Sequence, residues 1–357
     1  MAYTTIKKPT DYFNTLLYTG NGSAGNKTGI SFQPDWTWIK KRTNDIESHA
    51  LFDAVRGVSS PKLLSSNGPD AQETHGNNGY VSGFVNGGFT VATNGSNSEK
   101  YEYLNTSGDT YASWNWKSET GVSGTTTGSG SARSYSGRVN TTAGISIINY
   151  AGNSTSGHTI PHHLGATPKM IIIKNMGDSG DWIIHVGALN DPEKVLSLNS
   201  SAAGTNFNAG FNTTNPTSSV FTLGNSATVN DDNQQYIAYS FAEKTGYSKV
   251  GKYTGNGDAD GPFIYLGFKP AFIMLKKSSA VGDWYIFDNK REGYNELNDY
   301  LYPNTTSTEV SNVRLNLLSN GFKLTTSHAD FNNAATDYIY IAFAEEPLVG
   351  DNPATAR

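Results

Sequence analysis

The sequence predicts an all-β fold built from three related antiparallel β-sandwich units, of jelly-roll or lectin-like type. The first observation is composition, since the 357 residues are 12% aromatic and only 16% charged, with 38 Gly. Aromatic residues favour strands, and Gly is typical of turns. The second observation is that no long window shows the apolar spacing of a helix. The third is an internal repeat, which occurs three times.

Each repeat contains the same landmarks in the same order. A Y-x-G-N phrase opens the repeat, a proline then leads into an apolar segment that ends in Lys, and the last landmark is a tyrosine five residues before an aromatic. In two repeats a G-D-W phrase begins the segment after the proline strand, and residues 49–53 (H-A-L-F-D) take its place in the first. These landmarks are Tyr18, Pro34 and Tyr111, then Tyr150, Pro168, Trp182 and Tyr236, then Tyr253, Pro270, Trp284 and Tyr338.

The individual segments have the pattern of strands. Residues 36–40 alternate in character, whereas residues 170–173 form a continuous apolar run, as in a strand buried on both faces. A proline suits the first residue of a strand, where no ladder donor is needed. We expect the lysine that ends each proline strand, such as Lys174, to return to solvent. Asn-Gly pairs, as at Asn320, mark the turns.

The landmarks divide the chain into units of roughly domain size. The stretch between the first two units is rich in Gly, Ser and Thr, which predicts a linker or an extended loop. The predicted organisation is an N-terminal arm at 1–17, unit 1 at 18–121, the linker or loop at 122–149, unit 2 at 150–247, and unit 3 with a C-terminal tail at 248–357.

Composition also argues against several functions. The absence of Cys excludes disulfides, thiolate metal sites and a cysteine nucleophile. A net charge of -5 argues against nucleic acid as a partner. The longest apolar runs are much shorter than a membrane span, so we expect no membrane insertion. No apolar segment follows Lys7 and Lys8, so no signal peptide is visible.

Metal sites and cofactors are not predicted. His162 and His163 are adjacent, and neighbouring residues of a strand point to opposite faces, so they do not readily share one metal. Asp258 and Asp260 resemble the start of a calcium loop, but the expected bidentate Glu does not follow, so a hairpin turn is the simpler interpretation.

Paired carboxylates, which glycoside hydrolysis requires, are a further possibility. The candidate pairs are Asp53 with Glu47, Asp288 with Glu292, and Glu345 with Glu346. Asp53 and Asp288 occupy matching repeat positions, and a catalytic pair is not expected to be duplicated in this way. We therefore predict that the protein is not an enzyme, and that Arg56 pairs with Asp53 to hold the loop that follows.

Five tyrosines lie in polar, Asn-rich stretches that have the composition of loops. Tyrosine rings stack well on sugars and their hydroxyl groups add hydrogen bonds, but tyrosines are also common between subunits. Both alternatives, glycan binding and subunit packing, remain open for these residues. The candidates are Tyr101, Tyr103, Tyr294, Tyr300 and Tyr302.

Several longer phrases resemble virion structural proteins of marine tailed bacteriophages, such as those infecting cyanobacteria, which are often described as tail-fibre-like. The resemblance covers most of the chain. It is carried by Y-T-G-N-G at 18–22, F-Q-P-D-W-T-W-I-K at 32–40, H-A-L-F-D-A-V-R-G at 49–57, W-N-W-K at 114–117 and A-F-A-E-E-P-L-V-G at 342–350.

The resemblance implies a particle component that is assembled in the host cytoplasm and located in the virion. The expected function is host attachment as a tail fibre or appendage, as a homotrimer, through glycan binding strengthened by multivalency. The alternative is an architectural head-decoration, neck or tail protein. The expected partners are other virion proteins, further copies of the chain and a host-surface glycan.

Overall fold

The computed structural model describes residues 4–44, 46–96, 101–292, 295, 297–349 and 353–354. All paired strands in this part of the chain are antiparallel, so the predicted all-β class is confirmed. The helical segments of the same part are short turns of three or four residues. They are Pro9–Asp11, Gly187–Leu189, Asn208–Phe211, Ala227–Asn230 and Ala329–Asn332.

Unit 1 consists of two sheets. Its strands are β1 (Phe13–Thr19), β2 (Gly25–Thr28), β3 (Trp36–Lys41), β4 (Ala50–Asp53), β5 (Tyr80–Val85), β6 (Gly88–Ala92) and β7 (Thr110–Trp116). The first sheet has the order β1-β7-β3-β4 and the second has the order β2-β6-β5. Side chains from both sheets, among them Phe52 and Phe89, form one buried cluster between them.

Unit 2 has a wider first sheet. Its strands are β8 (Thr120–Thr125), β9 (Thr127–Gly128), β10 (Ser134–Asn140), β11 (Ile145–Ala151), β12 (His158–Pro161), β13 (Met170–Asn175), β14 (Ile183–Val186), β15 (Lys194–Ser197), β16 (Thr205–Asn206), β17 (Val220–Leu223) and β18 (Gln235–Phe241). The first sheet is ordered β16-β15-β14-β13-β18-β11-β10-β8, and the second is β17-β12-β9.

Unit 3 repeats the arrangement of unit 1. Its strands are β19 (Ser248–Thr254), β20 (Phe263–Tyr265), β21 (Phe268–Lys277), β22 (Trp284–Asp288), β23 (Leu297–Tyr300), β24 (Val310–Leu318), β25 (Gly321–Leu324) and β26 (Asp337–Pro347). Its sheets are ordered β19-β26-β21-β22 and β20-β25-β24-β23. The opening, closing, proline and following strands are thus adjacent in the same order in all three units, which explains why their landmarks recur together.

The structure differs from the predicted organisation at two segments. Residues 13–17, which we expected in an N-terminal arm, belong to β1 at the edge of the first sheet. Residues 122–149, which we expected to be a linker or extended loop, contribute to β8, β9, β10 and β11. The Gly, Ser and Thr content of this stretch predicted a loop, but it is also compatible with strands. Strand β8 is an exposed edge strand, which needs no apolar face, and Thr is itself a favourable strand residue.

The Y-x-G-N phrase has the same structural role in each unit. Its tyrosine stacks on the closing tyrosine, as for Tyr18 on Tyr111 with ring centroids 5.1 Å apart. The glycine approaches a neighbouring backbone so closely that a Cβ on Gly20 would lie 2.0 Å from the Thr106 carbonyl oxygen. The following Asn21 donates its backbone N–H to the side chain of Asn105 at 3.0 Å. The phrase therefore fastens the opening strand to the turn before the closing strand.

A buried asparagine six residues before each closing tyrosine is a landmark that our sequence interpretation missed. Asn105, Asn230 and Asn332 are all fully buried, and each accepts the backbone N–H of the Y-x-G-N asparagine. The constant spacing to the closing tyrosine was the signal that could have identified them.

The three first sheets use their outer faces to form one common core. Equivalent positions supply its centre, with Trp36, Met170 and Phe272 from the proline strands. Trp36 also stacks on Tyr239 of unit 2, with centroids 4.4 Å apart. The cavity between the sheets has a volume of only about 10 Å³ and is lined by apolar side chains, so this part of the core is closely packed and dry.

His185 is a polar residue at a repeat position that is aromatic in the other two units. It lies where units 1 and 3 have Phe52 and Phe287, and it is buried against Phe211. Neither ring nitrogen has a partner in the described part of the chain, and burial lowers the pKa of His185 to about 4.

We expect His185→Phe to stabilise the protein by about 1–2 kcal/mol, because the variant removes two buried polar atoms without partners. Chemical denaturation at pH 7 would measure this change. The matched control is Phe52→His, which places the same imidazole at the equivalent site of unit 1 and should destabilise it. A less stable His185→Phe variant would contradict the expectation.

Candidate functional site

The lysine that ends each proline strand crosses into a neighbouring unit. Lys40, Lys174 and Lys276 are fully buried, so our expectation that they return to solvent was wrong. The ammonium of Lys174 donates to the Pro69 carbonyl at 3.0 Å, and that of Lys276 donates to the Ser201 carbonyl at 3.2 Å. Burial lowers the pKa of each of these lysines to about 8, and carbonyl dipoles replace part of the lost hydration.

The same contacts connect the units in a cycle. Lys40 of unit 1 donates to the Thr306 carbonyl of unit 3 at 3.2 Å, so unit 1 contacts unit 3, unit 3 contacts unit 2, and unit 2 contacts unit 1. In two of the junctions a second side chain donates to the carbonyl four residues before the one that the lysine contacts. Trp182 and Trp284 donate their indole N–H groups to the carbonyls of Ser65 and Ser197, both at 2.9 Å.

His49 takes the place of the tryptophan in unit 1. Its Nδ1 accepts the indole N–H of Trp38 at 2.8 Å, which leaves Nε2 to donate to the Tyr302 carbonyl at 2.8 Å. Burial and the nearby Lys40 charge lower the pKa of His49, so the neutral ring is favoured. The single chain therefore has three similar junctions around one core, an internal form of cyclic threefold symmetry.

Two junctions contain a buried ion pair. Arg56 pairs with Asp53, as the sequence predicted, and also donates to the Leu51 carbonyl at 2.8 Å. Arg291 pairs with Asp288 at 2.7 Å in the same geometry, which we did not predict although the D-x-x-R spacing is shared. Both aspartates receive a donor from the next unit. The Tyr239 hydroxyl donates to Asp53 at 2.7 Å, and the Trp114 indole donates to Asp288 at 3.0 Å.

The tyrosines that we predicted as a binding surface are buried or half-buried where the structure describes them. Tyr101 and Tyr300 are buried, so the expectation that they are exposed does not hold. Tyr103 and Tyr302 are half-buried and pack against the core clusters of units 1 and 3. Tyr294 lies outside the described residues. The polar stretches around these residues predict loops at the surface, but Tyr101 and Tyr300 are buried, and Tyr103 and Tyr302 pack against apolar side chains.

The metal candidates form separate local contacts. His162 accepts the backbone N–H of Leu164, whereas His163 contacts the Tyr135 hydroxyl at 2.8 Å. Asp258 accepts the backbone N–H of Asp260 at 2.9 Å in a tight turn. Within the described ranges, no group of three or more His, Asp or Glu side chains is arranged to hold a metal ion. Nor does that part of the chain contain a helix long and apolar enough to cross a membrane.

A small polar pocket lies on the first sheet of unit 2. It has a volume of about 120 Å³ and is lined by Ser134, Tyr135, Ser136, Asn149 and Gln235. The Asn149 side-chain oxygen is buried and has no partner in the described part of the chain. A buried acceptor of this kind favours a ligand that brings a hydrogen-bond donor.

This pocket depends on features of unit 2 alone. Asn149 stands where the opening strands of units 1 and 3 have Leu17 and Lys252, as the pairing with the closing strands shows. Strand β10, with Ser136 directly opposite Asn149, extends the sheet beside it. The segment expected to be a linker thus builds one wall of the pocket.

A second surface feature is an exposed aromatic pair on β20 in unit 3. Phe263 and Tyr265 are 45% and 51% exposed, whereas Ile264 between them is buried. The alternation places both rings on the outer face of an edge strand. The Lys249 ammonium donates to the Tyr265 carbonyl at 2.7 Å and lies 5.6 Å from the centre of its ring.

The fold and these surfaces define an all-β protein of three sandwich units that close on a common aromatic core. The family model of DUF7483, a domain of unknown function, matches residues 8–347, and the chain belongs to this family. Comparisons with curated proteins and with solved structures gave no match. The family description assigns no activity, so evidence for a function comes from the geometry of the surfaces and from the sequence motifs.

Proposed function

We propose that the chain is a bacteriophage virion structural protein that acts as a tail fibre or appendage in host attachment, with the unit 2 pocket as its glycan site. The observation that carries the proposal is the buried Asn149 oxygen, which lacks a donor in a pocket otherwise formed by Ser134, Tyr135, Ser136 and Gln235. A sugar hydroxyl would supply that donor once the Asn149 amide turns into the pocket, because the oxygen itself is closed to solvent. The serine and amide groups can accept or donate to neighbouring hydroxyls. The phage phrases of the sequence support the virion location.

Affinity at one such site is small, so attachment needs several copies. A homotrimer of the chain, assembled in the host cytoplasm and held by other virion proteins, would present three pockets together. The three units of a single chain do not provide this multivalency, because units 1 and 3 have Leu17 and Lys252 in place of Asn149.

The direct test is binding of purified protein to a panel of host-surface polysaccharides, measured with Asn149→Leu and with Asn312→Leu as a control on exposed β24. We expect about a tenfold loss of affinity for Asn149→Leu, since one hydrogen bond to a buried acceptor is lost. Equal binding by both variants, or no binding by the parent protein, would refute the glycan site.

The second candidate function is architectural, as a head-decoration, neck or tail protein. The closed cycle of junctions favours it, because three covalently linked units form a rigid block without needing a ligand. Copy number separates the two functions. A decoration protein should be abundant in the particle and dispensable for adsorption, whereas antibody against an attachment protein should block adsorption.

A further inference from the structure

Among the described residues, the second sheet of unit 2 has a strand, β9, with no counterpart in units 1 and 3. Strand β12 pairs with β17 on one side and with β9 on the other, where Thr159 lies opposite Thr127. The two threonine hydroxyls are 2.7 Å apart, and the Ser129 N–H donates to the Gly157 carbonyl at 2.9 Å. The Gly/Ser/Thr-rich stretch thus covers an edge that would otherwise be open.

The equivalent edge in unit 3 belongs to β20. Ile264 pairs with Phe322 as Ile160 pairs with Phe221, which places Phe263 at the position of Thr159. The Leu324 N–H donates to the Pro262 carbonyl at 3.1 Å, so by alternation the backbone groups of Phe263 face away from β25. In the described ranges β20 is the outermost strand of its sheet.

Unit 1 shows how such an edge is adapted to water. Its equivalent strand β2 has exposed Asn26 and Thr28 where β20 has Phe263 and Tyr265. Two large exposed aromatic residues on an edge strand are unusual, because edges that stay free are normally kept short, charged or polar. The Lys249 ammonium donates a hydrogen bond to the Tyr265 carbonyl, but it does not contact the backbone groups of Phe263, which can still pair with an added strand.

We propose that the open edge of β20 binds an extended, uncharged, Gly/Ser/Thr-rich segment of another protein, added antiparallel as β9 is added to β12. The chemistry of the occupant follows from the chain itself. At the matching edge of unit 2 the covering segment is T-T-G-S at residues 126–129, which has no charge. Main-chain hydrogen bonds would supply the affinity, and the two aromatic rings would pack on the side chains of the added strand. This inference does not depend on the glycan site.

The test is a titration of isotopically labelled full-length protein with a peptide of residues 123–132 (S-G-T-T-T-G-S-G-S-A), followed by the amide signals. We expect saturable shifts at Gly261, Phe263 and Tyr265, and none at the matched edge Gly25–Thr28 of unit 1. A peptide methylated on the backbone nitrogens that correspond to Thr127 and Ser129 should bind at least tenfold more weakly, because it lacks the ladder donors.

The protein variant Phe263→Thr restores the residue that unit 2 has at this position, so it should retain peptide binding within about threefold. Unchanged binding of the methylated peptide would overturn the proposal. So would the absence of shifts at β20 with millimolar peptide. Loss of binding in Phe263→Thr would indicate that the ligand is held by ring stacking, as a sugar would be. Concentration-dependent shifts without peptide would indicate that a second copy of this chain binds the edge of β20. Both outcomes would also reject strand addition by another protein.

Discussion

Asp288→Val is expected to lower the free energy of unfolding by about 3 kcal/mol, because it removes one of the two carboxylates that pair with the buried Arg291 guanidinium and leaves only Glu309, at 2.9 Å. Asp288 accepts from Arg291 at 2.7 Å and from the Trp114 indole of unit 1 at 3.0 Å, and both charged side chains are fully buried. Equilibrium denaturation in urea would measure the loss. A change below about 1 kcal/mol would show that the ion pair does not support the junction.

The chain contains its own control for this variant. Unit 2 has Val186 and Leu189 at the positions of Asp288 and Arg291, so an apolar junction is compatible with the fold. The double variant Asp288→Val/Arg291→Leu should therefore recover at least about 2 kcal/mol of the single variant's loss, since no charge is left unpaired. Recovery separates the cost of a buried charge that has lost one partner from general disruption of the core, since Glu309 keeps Arg42 as a partner at 2.7 Å in the double variant.

Gly20→Ala is expected to destabilise the protein by about 3 kcal/mol or more, because the added carbon cannot be accommodated without moving backbone. A Cβ on Gly20 would lie 2.0 Å from the Thr106 carbonyl oxygen and 2.8 Å from the Asn105 carbonyl carbon. Thermal unfolding would register this loss. Gly121→Ala is the matched control, because that position has open space and the same substitution should stay within about 0.5 kcal/mol. Equal effects at both positions would contradict this role of the Y-x-G-N glycine.

Local chemistry made part of the fold predictable from the sequence. Pro34, Gly20 and Tyr111 are restricted by backbone geometry or by size, so their recurrence identified equivalent strands before their partners were known. Residues 36–40 and 170–173 are both strands, as predicted, but the alternation of residues 36–40 did not reveal that this strand, too, is buried on both faces. The Asp53–Arg56 pair was also predictable, because both partners lie within four residues of each other.

The candidate site was less predictable. The pocket around Asn149 needs Ser136 and Gln235, which are brought together by strand pairing over long sequence separations. The polar neighbours in sequence of Tyr101, Tyr103, Tyr294, Tyr300 and Tyr302 predict exposed rings. Tyr101 and Tyr300 are nevertheless buried, because burial depends on neighbours in space.

The sequence by itself determined that this protein is all-β and threefold repeated, and it identified the tyrosine, glycine and proline landmarks of each unit. Those properties follow from short-range constraints, which act over a turn or one strand. Only the tertiary structure decided that the outer faces of the three first sheets form one core, and that Lys40, Lys174 and Lys276 point into neighbouring units. A strand has two faces, and which of them is exposed to solvent depends on the segments that pack against it, which come from distant parts of the chain.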